Sequence, residues 1–316
     1  MRPIRPFRLL AGAGGVVDGR TLAETARRAE SIGVDVLVFP DHLLEQLSPI
    51  PAMATVAAVT ERVRVAALVF NNDLRHPAVL AQDLASLDVL SSGRLEVAIG
   101  AGWNRPEYDA IGLGFDAVGM RVARLAEAVS VLKGCFHDGA FSFEGAHYTI
   151  TDYDAQPKPV QRPHPPFFIG GGGRRLLTLA GREADTVGLA PRILPTGRGD
   201  PRSITIAAAE EKIEWVREAA GDRFGDIELN TYPSMSAVVV TDDARTELRE
   251  LRQRIVERTG VEITEEELTE SPHIFVGSVD SLVEKFLGLR ERLGISSIMV
   301  GEVGELDAVV ERLAGT

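Results

Sequence analysis

Short apolar, β-branched runs alternate with longer stretches of helical period along the chain. Runs of roughly four to eight such residues bounded by turn residues read as buried strands, and apolar residues recurring every three or four positions read as helices. The first run, "FRLLA" (7–11), leads to "TLAETARRAESIG" (21–33), where Leu22, Ala26, Ala29 and Ile32 share one face. Thr21 with Glu24 three positions on predicts a capping box, and Gly33 suits the left-handed residue that ends a helix. Strands are predicted again at 34–40, 62–70, 94–102, 166–170, 185–190, within 227–240, and at 296–300. Helices are predicted from Pro77 to about 91, around 105–111 and 118–133, and at 173–184, 205–220, 242–258 and 264–270, with a last one capped by Ser278. Alternation around Glu144 and Gly145 predicts a hairpin at 139–153, and the Pro-, Gly- and Arg-rich stretch 191–204 reads as a mobile loop.

Eight strands rich in Val, Ile and Leu, interleaved with helices, predict an α/β fold. A parallel sheet closed into a (β/α)8 TIM barrel, with insertions at its C-terminal rim, accounts for them. The chain is read as one barrel domain over 1–316, with a hairpin insertion about 138–153 and a variable insertion about 191–225. The rival is a doubly wound open sheet. Gly12, Gly14 and Gly15 follow the first strand, but the third fingerprint glycine is missing and no acidic ribose partner ends strand two in register.

Charge and composition narrow the function. With 46 acidic against 34 basic residues, the net charge of −12 disfavours nucleic acid as a partner. No apolar run approaches the ~20 residues of a membrane span, and the first residues lack a signal-peptide pattern, so a cytoplasmic protein acting on a small molecule is expected. Cys135 is the one cysteine; without a basic neighbour to lower its pKa it reads as a packed thiol. The histidines show no metal-ligand spacing, and neither a GxSxG elbow nor a P-loop lysine is present, so no metal site is expected.

In a βα barrel the chemistry lies where strands end. Strand two ends in Pro40, Asp41 and His42; strand three in Asn71, Asn72 and Asp73; strand four in Gly100, Ala101, Gly102, Trp103 and Asn104. His42 is a candidate general acid or base, or a histidine that bonds the next loop. Asp41 either orients it or caps a loop. Trp103 covers a flat ligand or packs in the core. Glu107 is a second acid–base group, or a carboxylate that suits a helix start. Strand five ends in Gly170–Gly173, followed by Arg174 and Arg175. Glycines there let an anion approach the free N–H groups of a helix N-terminus, unless they serve only a tight turn.

Six stretches carry a resemblance: "ARRAESIGVDVLVFPDHL", "TERVRVAALV", the run from His76 to Gly112, "FEGAHYTI", the run from Pro157 to Leu189, and "VGSVDSLVEKF". In order and spacing the chain resembles the bacterial luciferase-like superfamily of flavin- and deazaflavin-dependent barrels. Among these it looks most like the coenzyme F420-dependent oxidoreductases. The resemblance implies hydride transfer between the deazaflavin C5 and an organic substrate, with His42 as the active-site histidine, Asp41 before it and Trp103 over the ring. It implies a non-prolyl cis peptide near Ala67–Leu68 that buttresses the cofactor, further cofactor contacts at Asn71, Gly100 and Gly102, and a phosphate turn at Gly171, Gly172, Gly173 and Arg174. It also implies a homodimer. Trp103 stands where the F420-dependent sugar-phosphate dehydrogenases carry a catalytic glutamate, which argues against that substrate. An FMN-dependent monooxygenase and a non-catalytic cofactor carrier are the alternatives. Residues 191–270 match poorly.

Overall fold

The computed structural model describes residues 5–194, 197–234 and 238–316. In chain order it forms β1 (Arg8–Gly12), α1 (Gly19–Ile32), β2 (Val36–Phe39), α2 (Pro49–Val59), β3 (Arg64–Ala67), β4 (Phe70–Asn71), α3 (Pro77–Leu90), β5 (Val97–Gly100), α4 (Arg105–Ile111) and α5 (Val118–Phe136). Then follow β6 (Phe141–Glu144), β7 (Thr149–Tyr153), β8 (Phe167–Gly171), α6 (Arg174–Glu183), β9 (Thr186–Leu189), α7 (Ile206–Ala220), β10 (Glu228–Thr231) and β11 (Val239–Val240). The chain ends with α8 (Ala244–Thr259), α9 (Glu265–Glu270), β12 (Val276–Gly277), α10 (Val279–Leu293), β13 (Ile295–Glu302) and α11 (Asp307–Leu313).

Nine strands form one sheet in the order β3-β2-β1-β13-β10-β9-β8-β5-β4. β3 and β4 are two pieces of the run expected at 62–70, parted at a cis peptide between Leu68 and Val69. Both pieces meet the β5 segment in parallel, through a Val65–Leu95 bridge and through Phe70 opposite Ile99. Eight strand positions therefore make up the nearly closed barrel. Strands such as "VLVF" and "VAIG" are buried throughout because a parallel sheet carries cover on both faces.

Two compact units make up the chain: Met1–Gly12 with Arg28–Val36 and Gly170–Thr316, and Ala13–Arg27 with Leu37–Ile169. In the first, β1 pairs with β13 (Leu9 opposite Ile298), and β10 lies between β13 and β9, all parallel. A separate apolar cluster of Leu248, Leu251, Ile255, Ile263 and Leu268 seats α8 and α9. In the second, Val97, Ala98 and Ile99 of β5 pair with Phe167, Phe168 and Ile169 of β8. The hairpin is present as antiparallel β6–β7, and its loop is held by the Glu127 carboxylate, which accepts from the N–H groups of Ala146, His147 and Tyr148.

Some local expectations change. Thr21 does not cap α1; the helix starts at Gly19, and Asp18 accepts from the N–H groups of Arg20 (3.0 Å) and Thr21 (2.9 Å). A carboxylate there is also nearer the positive end of the helix. Gly33 does take the left-handed conformation (φ 93°), and Ser278 does cap α10. Cys135 lies inside α5 rather than after it, and burial pushes its thiol up to about 11. The stretch 191–204 has order of its own: Ile193 bridges Gly199, and Pro201–Ile204 form a 3-10 turn. Residues 195–196 of that stretch and 235–237 of the seventh strand run lie outside the described residues.

Candidate active site

The residues after β2, β4 and β5 converge within the second unit. His42 follows β2 in a segment without regular structure, and Glu107 lies in the first turn of α4. The Nδ1 of His42 is 2.9 and 3.0 Å from the two carboxylate oxygens of Glu107. Glu107 is 7% exposed against 26% for the imidazole, so the carboxylate is the buried member of the pair. A carboxylate can only accept, which assigns the proton to Nδ1 and leaves Nε2 as the acceptor of the neutral ring. Trp103 meets the imidazole edge-on, with ring centroids 5.6 Å apart, and keeps about half its surface exposed.

The Asp41 carboxylate is not the hydrogen-bond partner of His42. Its buried carboxylate takes two bonds from Arg75 (2.7 and 3.0 Å) and one from the Asn71 N–H (2.9 Å). Asn71 in turn accepts at Oδ1 from the Asp73 N–H (3.1 Å) and from the Tyr108 hydroxyl (2.9 Å), which also reaches Asp73 Oδ2 (3.0 Å). Arg124 pairs with Asp73 at 3.1 Å and with Asp116. Arg121 donates to the Ala101 carbonyl (3.2 Å) while stacking on Phe115. Burial, and then the Asp73 carboxylate, pushes the Tyr108 hydroxyl far up, so it stays a donor.

The glycines on this side serve close approach. Gly102 is left-handed (φ 72°), and a Cβ on it would collide with the Tyr108 hydroxyl and Asn71 Oδ1. A Cβ on Gly100 would meet Val69 Cγ2 at 2.7 Å, beside the cis bond. That bond, Leu68–Val69, falls one residue later than the Ala67–Leu68 position the resemblance implied; the Leu68 N–H donates to the Phe39 carbonyl (2.7 Å), and Ala67 is fully buried.

The four-glycine junction belongs to the first unit. None of Gly170–Gly173 has positive φ, so backbone conformation does not require them. Gly172 is required by contact: a Cβ there would strike the Pro191 carbonyl and the Arg192 N–H. The Gly171 carbonyl accepts from Ala190 N–H (3.0 Å). Gly173 is the N-cap of α6 and supplies no capping side chain; a Cβ on it would meet nothing within 4 Å. Arg174 is turned toward Glu218 (3.0 Å), and both are exposed. The loop beyond is pinned by Lys212, fully buried, whose ammonium donates to the carbonyls of Ala190 and Ser203 (both 2.7 Å). Burial pulls that ammonium down to about 8.

The sequence singled out both His42 and Glu107 but not their pairing. Arg75, Tyr108, Arg121 and Arg124 were missed. The signal available was local: Arg75 closes the strand-end run "NNDLR", and Tyr108 directly follows Glu107. Among the described residues no cluster of His, Cys, Asp or Glu is arranged to hold a metal, and no helix is long and apolar enough to cross a membrane.

The chain is 38% identical over 128 residues to an FMNH2-dependent dimethylsulfone monooxygenase of Pseudomonas putida, covering 40% of this chain and 35% of that protein. It is 34% identical over 175 residues to an F420-dependent glucose-6-phosphate dehydrogenase of Kineococcus radiotolerans, covering 52% of this chain and 50% of that protein. The chain thus spans half or less of the length of these relatives. The solved structure of the F420-dependent tetrahydromethanopterin reductase from Methanopyrus kandleri shares the fold, with a TM-score of 0.77 at 19% identity over 98% of both chains. The luciferase-like monooxygenase family profile matches residues 6–277, and the chain belongs to that family.

Proposed function

We propose that the protein is a coenzyme F420-dependent oxidoreductase that transfers a hydride between the deazaflavin C5 and a small organic substrate. The observation that carries the catalytic part is the His42–Glu107 pair: a buried carboxylate holding Nδ1–H of a partly exposed imidazole. A relative that is 34% identical over 175 residues and F420-dependent supports the deazaflavin reading. The residues fit such a group, because α6 begins at an N-cap with no side chain over its free N–H groups, which suits a phosphodiester. Gly171, Gly172 and Gly173 would hold that phosphate; cofactor contacts at Asn71, Gly100 and Gly102 are proposed on the resemblance alone.

When bound, the deazaflavin supplies or accepts the hydride. The chain's own part is the proton. As hydride leaves the substrate, Nε2 of His42 takes the proton released with it, and in the opposite direction Nε2–H returns it. Glu107 stabilises the imidazolium formed in between. Trp103, edge-on to the imidazole, would shape the pocket beside it.

His42→Ala lowers turnover by ~10²- to 10⁴-fold, and Glu107→Gln by about 10²-fold, while cofactor affinity stays within a few-fold. Titration with F420 and with FMN, followed by fluorescence, tests the cofactor. The 38% match to an FMNH2-dependent enzyme supports a second reading, FMN-dependent oxygenation. Rapid oxygen uptake with reduced FMN, without F420 binding, would select it. Cofactor affinity retained in His42→Ala, with no turnover of any candidate substrate by either form, would leave a cofactor carrier.

A further inference from the structure

His42 and Glu107 stand on weak supports. His42 lies in the irregular segment after β2. Glu107 lies on α4, a seven-residue helix whose N-cap Asn104 makes no side-chain capping bond. A helix that short does not hold itself together in water. Something else must keep the carboxylate across Nδ1.

Asn71 touches the neighbour of each. Its backbone N–H donates to Asp41, the residue before His42, and Asp41 is gripped on its other side by Arg75. Its side-chain Oδ1 accepts from Tyr108, the residue after Glu107. The Asp73 N–H also donates to that oxygen, which settles the amide orientation. Tyr108 is fully buried, and its one hydroxyl proton is shared between Asn71 and Asp73. Gly102, the residue before Trp103, leaves the space the hydroxyl fills.

We propose that Asn71 and Tyr108 form a strut that positions the His42–Glu107 pair and so selects the imidazole tautomer. Both are positioning residues; they act through Asp41 and Glu107. The inference rests on the catalytic reading of that pair for its importance, but its readout needs neither cofactor nor substrate.

The test is ¹⁵N NMR of histidine-labelled protein at a pH where the imidazole is neutral. In the wild type His42 carries its proton on Nδ1. In Tyr108→Phe the ratio of the two tautomers falls by about tenfold, the scale of one net hydrogen bond, and kcat falls with little change in KM. Phe115→Leu is the control. It removes the ring that packs edge-on against Tyr108 at 4.9 Å and keeps the hydroxyl; its melting temperature falls and its tautomer ratio does not. Should Tyr108→Phe fail to fold, Asn71→Ala cuts the same link from the other end and keeps the N–H to Asp41; the same tautomer shift is expected. A folded variant with the wild-type ratio overturns the proposal and leaves the two residues as packing alone. Loss of turnover in His42→Ala is read separately, so the strut and the catalytic reading fail independently.

Discussion

His273 is fully buried, with Nδ1 facing the Tyr232 carbonyl (3.1 Å) and the Thr231 hydroxyl (3.2 Å), and with Nε2 unpartnered among the described residues. Burial, with the positive charge of Lys212 next in size, pulls its imidazole down to about 3. Between about pH 3 and 6.5 the unfolded chain therefore binds a proton there that the folded chain refuses. The stability this residue protects is complete above pH 6.5 and is lost as pH falls, with a slope approaching ~1.4 kcal/mol per pH unit. His273→Asn, which cannot take up a proton, flattens the acid limb of ΔG against pH by about that slope, whatever its baseline stability; urea denaturation at pH 4.5, 5.5 and 6.5 measures it. Such residues show how much of a site a sequence displays. His42 and Glu107 were visible as residue types at strand ends, yet their pairing was not. They are 65 positions apart, and no spacing rule links a strand end to the helix after another strand. His273 stood among the scattered histidines because nothing in its flanks signals full burial.

At the scale of elements, the buried strands were legible because each is a short continuous apolar run between turns. α2 was not. Its sequence "PIPAMATVAAV" is apolar on nearly every side, so it shows no helical stripe, and Ala52, Met53, Val56 and Ala57 are all buried. The break of 62–70 into β3 and β4 was also invisible as an apolar pattern, since the run continues through Leu68 and Val69. The junction of β8 and α6 was legible as a place and not as a mechanism. Its glycines are needed for packing at Gly172 and for open space at Gly173, not for unusual backbone angles. Gly172→Ala forces the Pro191 backbone to move, at a cost of ~1–3 kcal/mol. Gly173→Ala meets no neighbour and leaves stability nearly unchanged. If a cofactor phosphate lies over the helix start, both substitutions weaken FMN or F420 relative to the same ring system without phosphate. Calorimetric titration of the phosphorylated and dephosphorylated forms reads that ratio.

At the scale of the molecule, the first and last strands are neighbours, with Leu9 of β1 opposite Ile298 of β13. The last helix secures that seam: Val309, Val310 and Leu313 are buried, Arg28 pairs with Asp307, and the Phe7 N–H donates to the Thr316 carbonyl (2.9 Å). Leu313→Ala accordingly costs ~2–4 kcal/mol, measurable by chemical denaturation with an unchanged m-value. The barrel was readable because alternating strands and helices leave few ways to close a parallel sheet. The cofactor was not, because one fold hosts both chemistries. The seat of Tyr108 bears on how such a chain diverges. Any side chain at position 102 evicts the hydroxyl, and a Tyr108 without Asn71 keeps only Asp73 as acceptor, so the three positions constrain one another. A change at one is therefore expected to be accompanied by change at the others, and an alignment of relatives would show positions 71, 102 and 108 covarying.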